Sequence, residues 1–354
     1  MLDLTVPHEV NVQPAALADV LQAAGEPPFR LRQVLAWKYR KLADGYADMH
    51  NISLALRQRL AREAPFTRLR LVDEAWSTDA LTTKLLFALQ DGQTIESVLM
   101  RQHGAHEAAA RNTVCVSSQA GCKMACSFCA TGHGGWRRNL EPDEIADQVL
   151  HFARLLKDED AHVTNVVFMG MGEPLDNYDN VLAAIGLLNG PFGLGARSIT
   201  VSTCGLVPQI RRLADERTQV NLAVSLAATT DERRNDLIPV NRRWPIAELL
   251  EACDAYARRT HRRVTFEYVL IAGVNDGLDE AERLATLMAG RLAHVNLIPL
   301  NPVEGDGYLR PSENSIRRFE DVLRVQNVPV SVRYSKGTDI VAGCGQLRAR
   351  SLSA

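Results

Sequence analysis

From residue 113 onward two kinds of segment take turns along the chain, and that alternation restricts its fold more than any other feature. Short β-branched or apolar runs fall at 113–117, 164–169, 198–202, 219–225, 263–270 and 293–300. Amphipathic segments lie between and after them, at 142–156, 178–188, 206–215, 246–258, 278–289 and 314–325. Pro142, followed by Asp143 and Glu144, reads as a helix start, because proline suits the first turn and carboxylates suit its positive end. Strands alternating with helices imply parallel strands joined by crossover helices, an α/β fold. Six units fall short of a closed eight-stranded barrel, so an open or partial barrel is expected.

The N-terminal part reads differently. Residues 14–24 and 30–42 carry apolar side chains at helical spacing, with Gly25-Glu26-Pro27-Pro28 as the break. Arg30, Arg32, Lys38, Arg40 and Lys41 follow one another without an acidic residue, and Arg57, Arg59, Arg62, Arg68 and Arg70 come next. Such runs serve as a solvated helix face or as a docking surface for phosphates. Strands are expected at 82–89 and 94–100, and a loop or short exposed helix at 103–111. The organisation is thus a small helical domain over 1–75, a strand-rich bridge over 76–112, a βα core over 113–327 and a C-terminal segment over 328–354.

The formal net charge of −2 excludes a protein coated in positive charge, though not one that gathers it on a single face. No stretch approaches the roughly 20 apolar residues of a membrane span, and the first residues lack a basic-then-apolar leader. A cytoplasmic location without membrane partners is therefore expected. Seven cysteines, three of them within eight residues, point in a reducing compartment to metal or redox chemistry.

Those three form the run Gly121-Cys122-Lys-Met-Ala-Cys126-Ser-Phe128-Cys129, a C-x3-C-x2-C spacing just after the first strand of the βα series. A [4Fe–4S] cluster normally takes four thiolates, so three leave one iron open for another ligand. A structural zinc site wants four closed ligands, and Cys115 could supply the fourth. Position favours the cluster, because sites of such folds gather at the carboxyl ends of the strands.

The C-x3-C-x2-C run with an aromatic before its last cysteine resembles the signature of radical S-adenosylmethionine (SAM) enzymes. Further segments resemble one subgroup, the RlmN/Cfr family of adenosine methyltransferases. They are Cys115-Val-Ser-Ser-Gln-Ala-Gly-Cys122, Ala130-Thr-Gly-His-Gly-Gly, Arg138-Asn-Leu, Met169-Gly-Met-Gly-Glu173-Pro-Leu, Val201-Ser202-Thr-Cys-Gly205, Asn296-Leu-Ile-Pro-Leu-Asn301-Pro and Ala342-Gly-Cys344-Gly-Gln-Leu, in family order from about residue 15 onward. The resemblance implies a partial (β/α)6 radical SAM barrel with a small N-terminal helical accessory domain. It also implies a [4Fe–4S] cluster on Cys122, Cys126 and Cys129, and two SAM molecules per turnover.

Each of these segments has a plain reading beside the implied one. Gly170-Met-Gly172-Glu173 ends the second core strand, where glycines admit a close ligand and a carboxylate can pair with the SAM ammonium; a simple strand-to-helix turn looks the same. Ser202, Ser225 and Asn301 end further strands. They match SAM contacts of the family, although a lone serine there is more often a helix cap. By resemblance Cys344 is the methyl-accepting cysteine, and its small neighbours Gly343 and Gly345 suggest an exposed, mobile loop. Cys115 is then the thiol that attacks the Cys344 sulfur, releasing the methylated base and leaving a transient disulfide; on its own it reads as buried packing. Glu96 matches a family proton acceptor, against the alternative of a strand glutamate facing solvent. Cys204 and Cys253 are expected to be structural.

One departure stands out. The family usually reads Ser-Leu-His after the fourth core strand, where this chain has Ser225-Leu226-Ala227. An imidazole is then missing from the expected cofactor rim, which touches the choice of RNA target. The resemblance implies methylation of adenine carbon 2 in large-subunit (23S) ribosomal RNA, with transfer RNA as a second candidate. Carbon 8 addition is the near alternative. The implied partners are RNA and an electron-donating protein, with a monomeric enzyme. Arg233, Arg234, Arg242 and Arg243 are candidates to extend the basic RNA-docking surface. A radical SAM enzyme on a non-RNA substrate would leave Cys115 and Cys344 without purpose, and a zinc-bearing RNA-binding protein would leave Cys344 unexplained.

Overall fold

The structure is a computed structural model and describes residues 15–102, 110–216, 218–303 and 305–349. Most of the 103–111 stretch therefore lies outside the described residues. The N-terminal region is helical: α1 (Ala15–Ala23), α2 (Phe29–Leu35) and α3 (Leu54–Glu63), with a π-helical turn over Ala36–Arg40. Ser53 caps α3 by accepting from the Leu56 amide at 3.3 Å. Leu17, Leu21, Val34, Leu35, Leu56 and Leu60 are buried and join these helices to one continuous core.

A ten-stranded sheet carries the rest of the fold. Its first strands, β1 (Arg70–Trp76), β2 (Thr82–Ala88) and β3 (Thr94–Gln102), run antiparallel, and β3 pairs antiparallel with β4 (Arg111–Cys115). Residues 70–75, read above with the helical region, are thus strand. A small hairpin, β5 (Gln119–Gly121) with β6 (Trp136–Asn139), leaves the main sheet. Parallel pairing then carries β4 through β7 (Asn165–Phe168), β8 (Ile199–Thr203), β9 (Asn221–Ser225), β10 (Val264–Leu270), β11 (Ala293–Pro299) and β12 (Val330–Val332). The sheet stays open, as a partial barrel does. The short β12 adds a seventh parallel strand to the six expected.

The chain enters the helical layer at α4 (Ala130–His133), a single turn, and α5 (Pro142–Asp158). It returns there through α6 (Tyr178–Asn189), α7 (Val207–Asp215), α8 (Asp231–Leu237), α9 (Ile246–Thr260), α10 (Leu278–Met288) and α11 (Glu313–Val325). The α5 start matches its sequence signal: Pro142 opens the helix, and Glu144 turns back to accept from the Glu141 amide at 2.9 Å. Ile145, Val149, Leu150, Phe152 and Leu156 give α5 a fully buried face, each contributing about 1.5–3 kcal/mol. Cys253 sits on α9 in the core, as its apolar neighbours implied.

Strand periodicity of two decides what faces the bore. Helix-side Val264, Phe266, Tyr268 and Leu270 are buried, while Thr265, Glu267 and Val269 turn inward with Ser225 and Asn296 on the flanking strands. The site is built from this inner row and the loops above it.

Candidate active site at the carboxyl ends of the strands

The cysteine loop grows from the β5–β6 hairpin. Gly121 lies at φ +76°, and a Cβ there would sit 1.9 Å from the Gly135 carbonyl oxygen, so only glycine fits the hairpin entry. The Cys122 amide donates to Gly135 O at 3.0 Å, the Cys129 amide to Cys126 O at 3.2 Å, and the Ser127 amide to Leu237 O at 3.1 Å. The loop is thereby held over the sheet, and Cys122, Cys126 and Cys129 line one cavity with Gly172, Glu173, Ser202, Ser225, Asn301 and Cys344. Burial raises all three thiols above their ordinary values; Cys129 raises Cys122 further, Cys129 and Cys122 raise Cys126, and Cys344 raises Cys129.

Thiols crowded in this way resist ionising unless cations neutralise them, which fits the donor set of an iron–sulfur cluster. No group of His, Cys, Asp or Glu side chains among the described residues converges on a single-ion site; cluster cysteines bind different irons and need no such convergence. Cys115 lies elsewhere, on β4, so the four-cysteine set that zinc requires is not assembled here. Two buried acceptors on cavity residues have no protein partner, Asn301 Oδ1 and Glu267 Oε2. Orphans of this kind suit a ligand that brings N–H or O–H donors, as SAM does.

Glu173 is fully committed to the strand ends. Its Oε2 accepts from the Cys204 amide at 2.8 Å, its Oε1 from the Leu175 amide at 3.0 Å, and its own amide donates to Gln119 Oε1 at 2.9 Å. Burial raises its carboxyl above the ordinary value, against the pull of those amides. A cation beside it would offset that cost. Cys204 thus has a positioning job through its backbone.

The glycines before Glu173 serve packing more than ligand approach. A Cβ on Gly170 would lie 2.7 Å from the Val116 backbone, and one on Gly172, at φ +100°, would lie 2.6 Å from Gln119 Cβ. Both residues still line the cavity, but their bareness lets the segment after β7 close on Val116, just past β4, and on Gln119 of β5.

Behind Glu173 stands Arg234, the largest fully buried side chain. Its guanidinium donates to Cys204 O at 2.7 Å, Ser225 O at 2.9 Å, Leu226 O at 3.0 Å and Asn241 Oδ1 at 2.9 Å. It ties the β8 and β9 rims together and cannot belong to an RNA-docking surface. Arg233 is drawn to Glu280. Lys38 leaves the basic N-terminal run in the same way, buried against Asp147 at 2.7 Å. A run of like charges in sequence hides partners supplied from far along the chain.

Cys344 sits where two cavities meet. Besides the upper one it lines a second, lower cavity with Cys115, Glu267 and Arg333. Both thiols are free in the structure. Burial, then nearby Cys344, pushes the Cys115 thiol up to about 12, while Arg333 pulls it back. Cys344, followed by Glu267 and Cys115, favours the charged form of Arg333 against its burial.

The Cys344 loop is not the exposed, mobile loop its glycines suggested. Asn301 Nδ2 donates to Cys344 O at 3.1 Å, the Ala130 amide to Gly345 O at 2.7 Å, and Gln346 Nε2 to Pro302 O at 3.0 Å. A Cβ on Gly343 would meet Asn301 Nδ2 at 2.8 Å, so this glycine admits the asparagine.

Glu96 does not face solvent either. It is 2% exposed, pairs with Lys84 at 3.3 Å and accepts from the Arg348 amide at 2.8 Å. It lines neither cavity. Ala227 is fully buried at φ +56° and also lines neither, so the departure from Ser-Leu-His lies behind the rim instead of on it.

Two residues escaped the sequence reading. Glu267 had a signal: a lone carboxylate in a parallel strand that should be continuously apolar. Arg333 had none, being one arginine after a short β-branched run.

The comparisons with known proteins bear on the same two regions. Residues 116–287 match the model of the radical SAM superfamily, and residues 10–65 match the ribosomal RNA large subunit methyltransferase N-terminal domain. A probable dual-specificity RNA methyltransferase RlmN of Desulfitobacterium hafniense is 49% identical over 328 residues, covering 92% of this chain and 91% of that one. A protein of the same description from Symbiobacterium thermophilum is 47% identical, covering 95% of this chain and 89% of its own. The crystal structure of a radical SAM methyltransferase from Sphaerobacter thermophilus superposes with a TM-score of 0.91 at 50% identity, over 96% of this chain and 98% of that one. The family implies an iron–sulfur cluster, SAM and RNA as the substrate. With the fold, the cysteine loop and both halves of the chain in agreement, this protein belongs to the RlmN family of radical SAM RNA methyltransferases.

Proposed function

We propose that the enzyme methylates carbon 2 of an adenosine in large-subunit ribosomal RNA by way of a methyl group carried on Cys344. The observation that supports this most is the place of Cys344, at the boundary between the cysteine-lined cavity and the cavity of Cys115. Cys122, Cys126 and Cys129 would hold the [4Fe–4S] cluster, and Glu173, Ser202, Ser225 and Asn301 would hold SAM. When bound, this pair supplies a 5′-deoxyadenosyl radical able to remove a hydrogen atom. Carbon 2 of adenine is not nucleophilic, which is why a radical is needed.

Cys344 carries the one-carbon unit as a thioether and becomes bonded through it to the base. The Cys115 thiolate then attacks the Cys344 sulfur. The carbon–sulfur bond breaks toward carbon, the methylated base leaves, and a Cys115–Cys344 disulfide remains. Arg333 favours the attacking thiolate. Glu96 is the proposed acceptor of the base proton, a role that requires its carboxylate to leave Lys84 and the Arg348 amide and turn toward the cavity. Two SAM molecules are consumed, one donating the methyl and one the radical. The N-terminal region, through exposed Arg32, Arg40, Lys41 and Arg62 and through Arg70 at the start of β1, would dock the RNA, whose target base must leave its stack. The dual-specificity description of the relatives supports a second RNA substrate, for which transfer RNA is the candidate. A cytoplasmic monomer served by an electron-donating protein completes the reading.

A Cys344→Ala variant tests it. Loss of protein-bound methyl and of RNA product together, with SAM cleavage retained, is expected. RNA product from that variant would overturn the thioether route.

A further inference from the structure

The lower cavity meets the upper one at Cys344 and Glu267, but the rest of its wall has no role in the proposed function and is specific. Arg111 stands at the start of β4 and Arg263 just before β10, both exposed, so the cavity opens at the amino ends of the strands. Arg101, Arg333 and Lys336 line it as well. Arg101 is paired with Glu159 at 2.8 Å, and Lys336 donates to the Arg101 carbonyl at 3.0 Å. Arg111, Arg263 and Arg333 form no ion pair within 4.0 Å among the described residues. The one carboxylate on the wall is Glu267, which accepts from Asn296 Nδ2 at 3.1 Å and lies beside Arg333. Charge at the mouth is thus uncompensated and positive, and at the inner end lie two sulfurs, those of Cys115 and Cys344.

We propose that this cavity is the entry route of a small anionic thiol that reduces the Cys115–Cys344 disulfide after each turnover. The inference rests on the resolving step proposed above, which leaves both sulfurs oxidised. Two thiol molecules restore them: the first thiolate attacks one sulfur to give a mixed disulfide and expels the other as a thiolate. The second thiolate attacks the mixed disulfide, so that two protein thiols and one small-molecule disulfide result. Access favours a small thiol over a folded protein, because Cys115 is only 8% exposed at the inner end of the cavity. A thiol bearing carboxylates is concentrated by the arginines at the mouth, as charged clefts concentrate counter-ions.

The experiment uses cluster-loaded enzyme after one turnover on ribosomal RNA, with the Cys115–Cys344 peptide followed by mass spectrometry after rapid alkylation. Mercaptosuccinate, 2-mercaptoethanol and cysteamine are compared, each rate divided by its rate on a free small disulfide to remove intrinsic nucleophilicity. The anionic thiol should lead the cationic one by about tenfold at low salt, with the gap closing as salt rises. In an Arg111→Glu/Arg263→Glu variant, both of whose sites are exposed, the order should reverse. Rates independent of thiol charge, or unchanged by the variant, would overturn the entry route and leave the resolving step standing. Absence of any Cys115–Cys344 peptide after turnover would overturn both.

Discussion

Lys84 and Glu96, 3.3 Å apart on adjacent strands, grip the two ends of the loop that carries Cys344. Lys84 Nζ also donates to Val341 O at 3.1 Å, and Glu96 Oε2 accepts from the Arg348 amide at 2.8 Å. Thr78 holds Asp339 and Thr94 holds Ala349 nearby, so the antiparallel extension of the sheet serves as a cradle for this loop. A buried pair broken on one side is costly, because the remaining charge has no partner. Lys84→Met should therefore lower stability by about 3–5 kcal/mol in urea unfolding. Adding Glu96→Gln should recover part of the loss. A single variant as stable as the parent would show that the pair does not hold the loop.

Arg234 supplies a second prediction. Its guanidinium satisfies three carbonyls and one side-chain amide at the β8 and β9 rims. Arg234→Met keeps much of the volume and removes every donor, so buried acceptors are left bare at about 1–3 kcal/mol each. Thermal unfolding should fall sharply and SAM binding weaken, since the Cys204 and Ser225 carbonyls lose their anchor. Arg234→Lys should rescue little, as one ammonium cannot span the same four acceptors. Full rescue by lysine would argue for charge alone.

The Cys115 thiol gives a pH dependence. Burial first, and Cys344 next, carry it from its ordinary 9.0 up to about 12. Below that value the thiolate fraction grows about tenfold per pH unit. In single-turnover work the proposed attack of Cys115 on the Cys344 sulfur should accelerate steadily from pH 7 to pH 10. Arg333→Met should slow it by about tenfold at fixed pH, because Arg333 favours the thiolate. The stability sign follows from the same shift. The folded protein keeps a proton that the unfolded chain loses above pH 9. This contribution is therefore full below pH 9 and declines as pH rises toward 12. A rate plateau near pH 7 would contradict the shift.

Much of this was legible in the residues themselves, for definable reasons. Pro142, Asp143 and Glu144 marked α5 because first-turn chemistry is local. The runs at 263–270 and 293–300 marked β10 and β11 because strand-forming residues cluster locally. Three features were not legible. The β12 strand has three residues, too few for a pattern. Lys38 and Arg234 looked like surface charge because Asp147 and the β8 rim carbonyls lie about 30 to 109 residues away. The Cys344 loop looked mobile because its anchors, Lys84 on β2, Glu96 on β3 and Asn301 beyond β11, lie far off in sequence.

The most direct measurement combines anaerobically purified, cluster-loaded enzyme with SAM, a reductant and unmodified large-subunit ribosomal RNA, and identifies methylated nucleosides by mass spectrometry. The account predicts 2-methyladenosine, absent with Cys344→Ala. Production of 8-methyladenosine, or SAM cleavage with no methylated adenosine in the RNA, would contradict it.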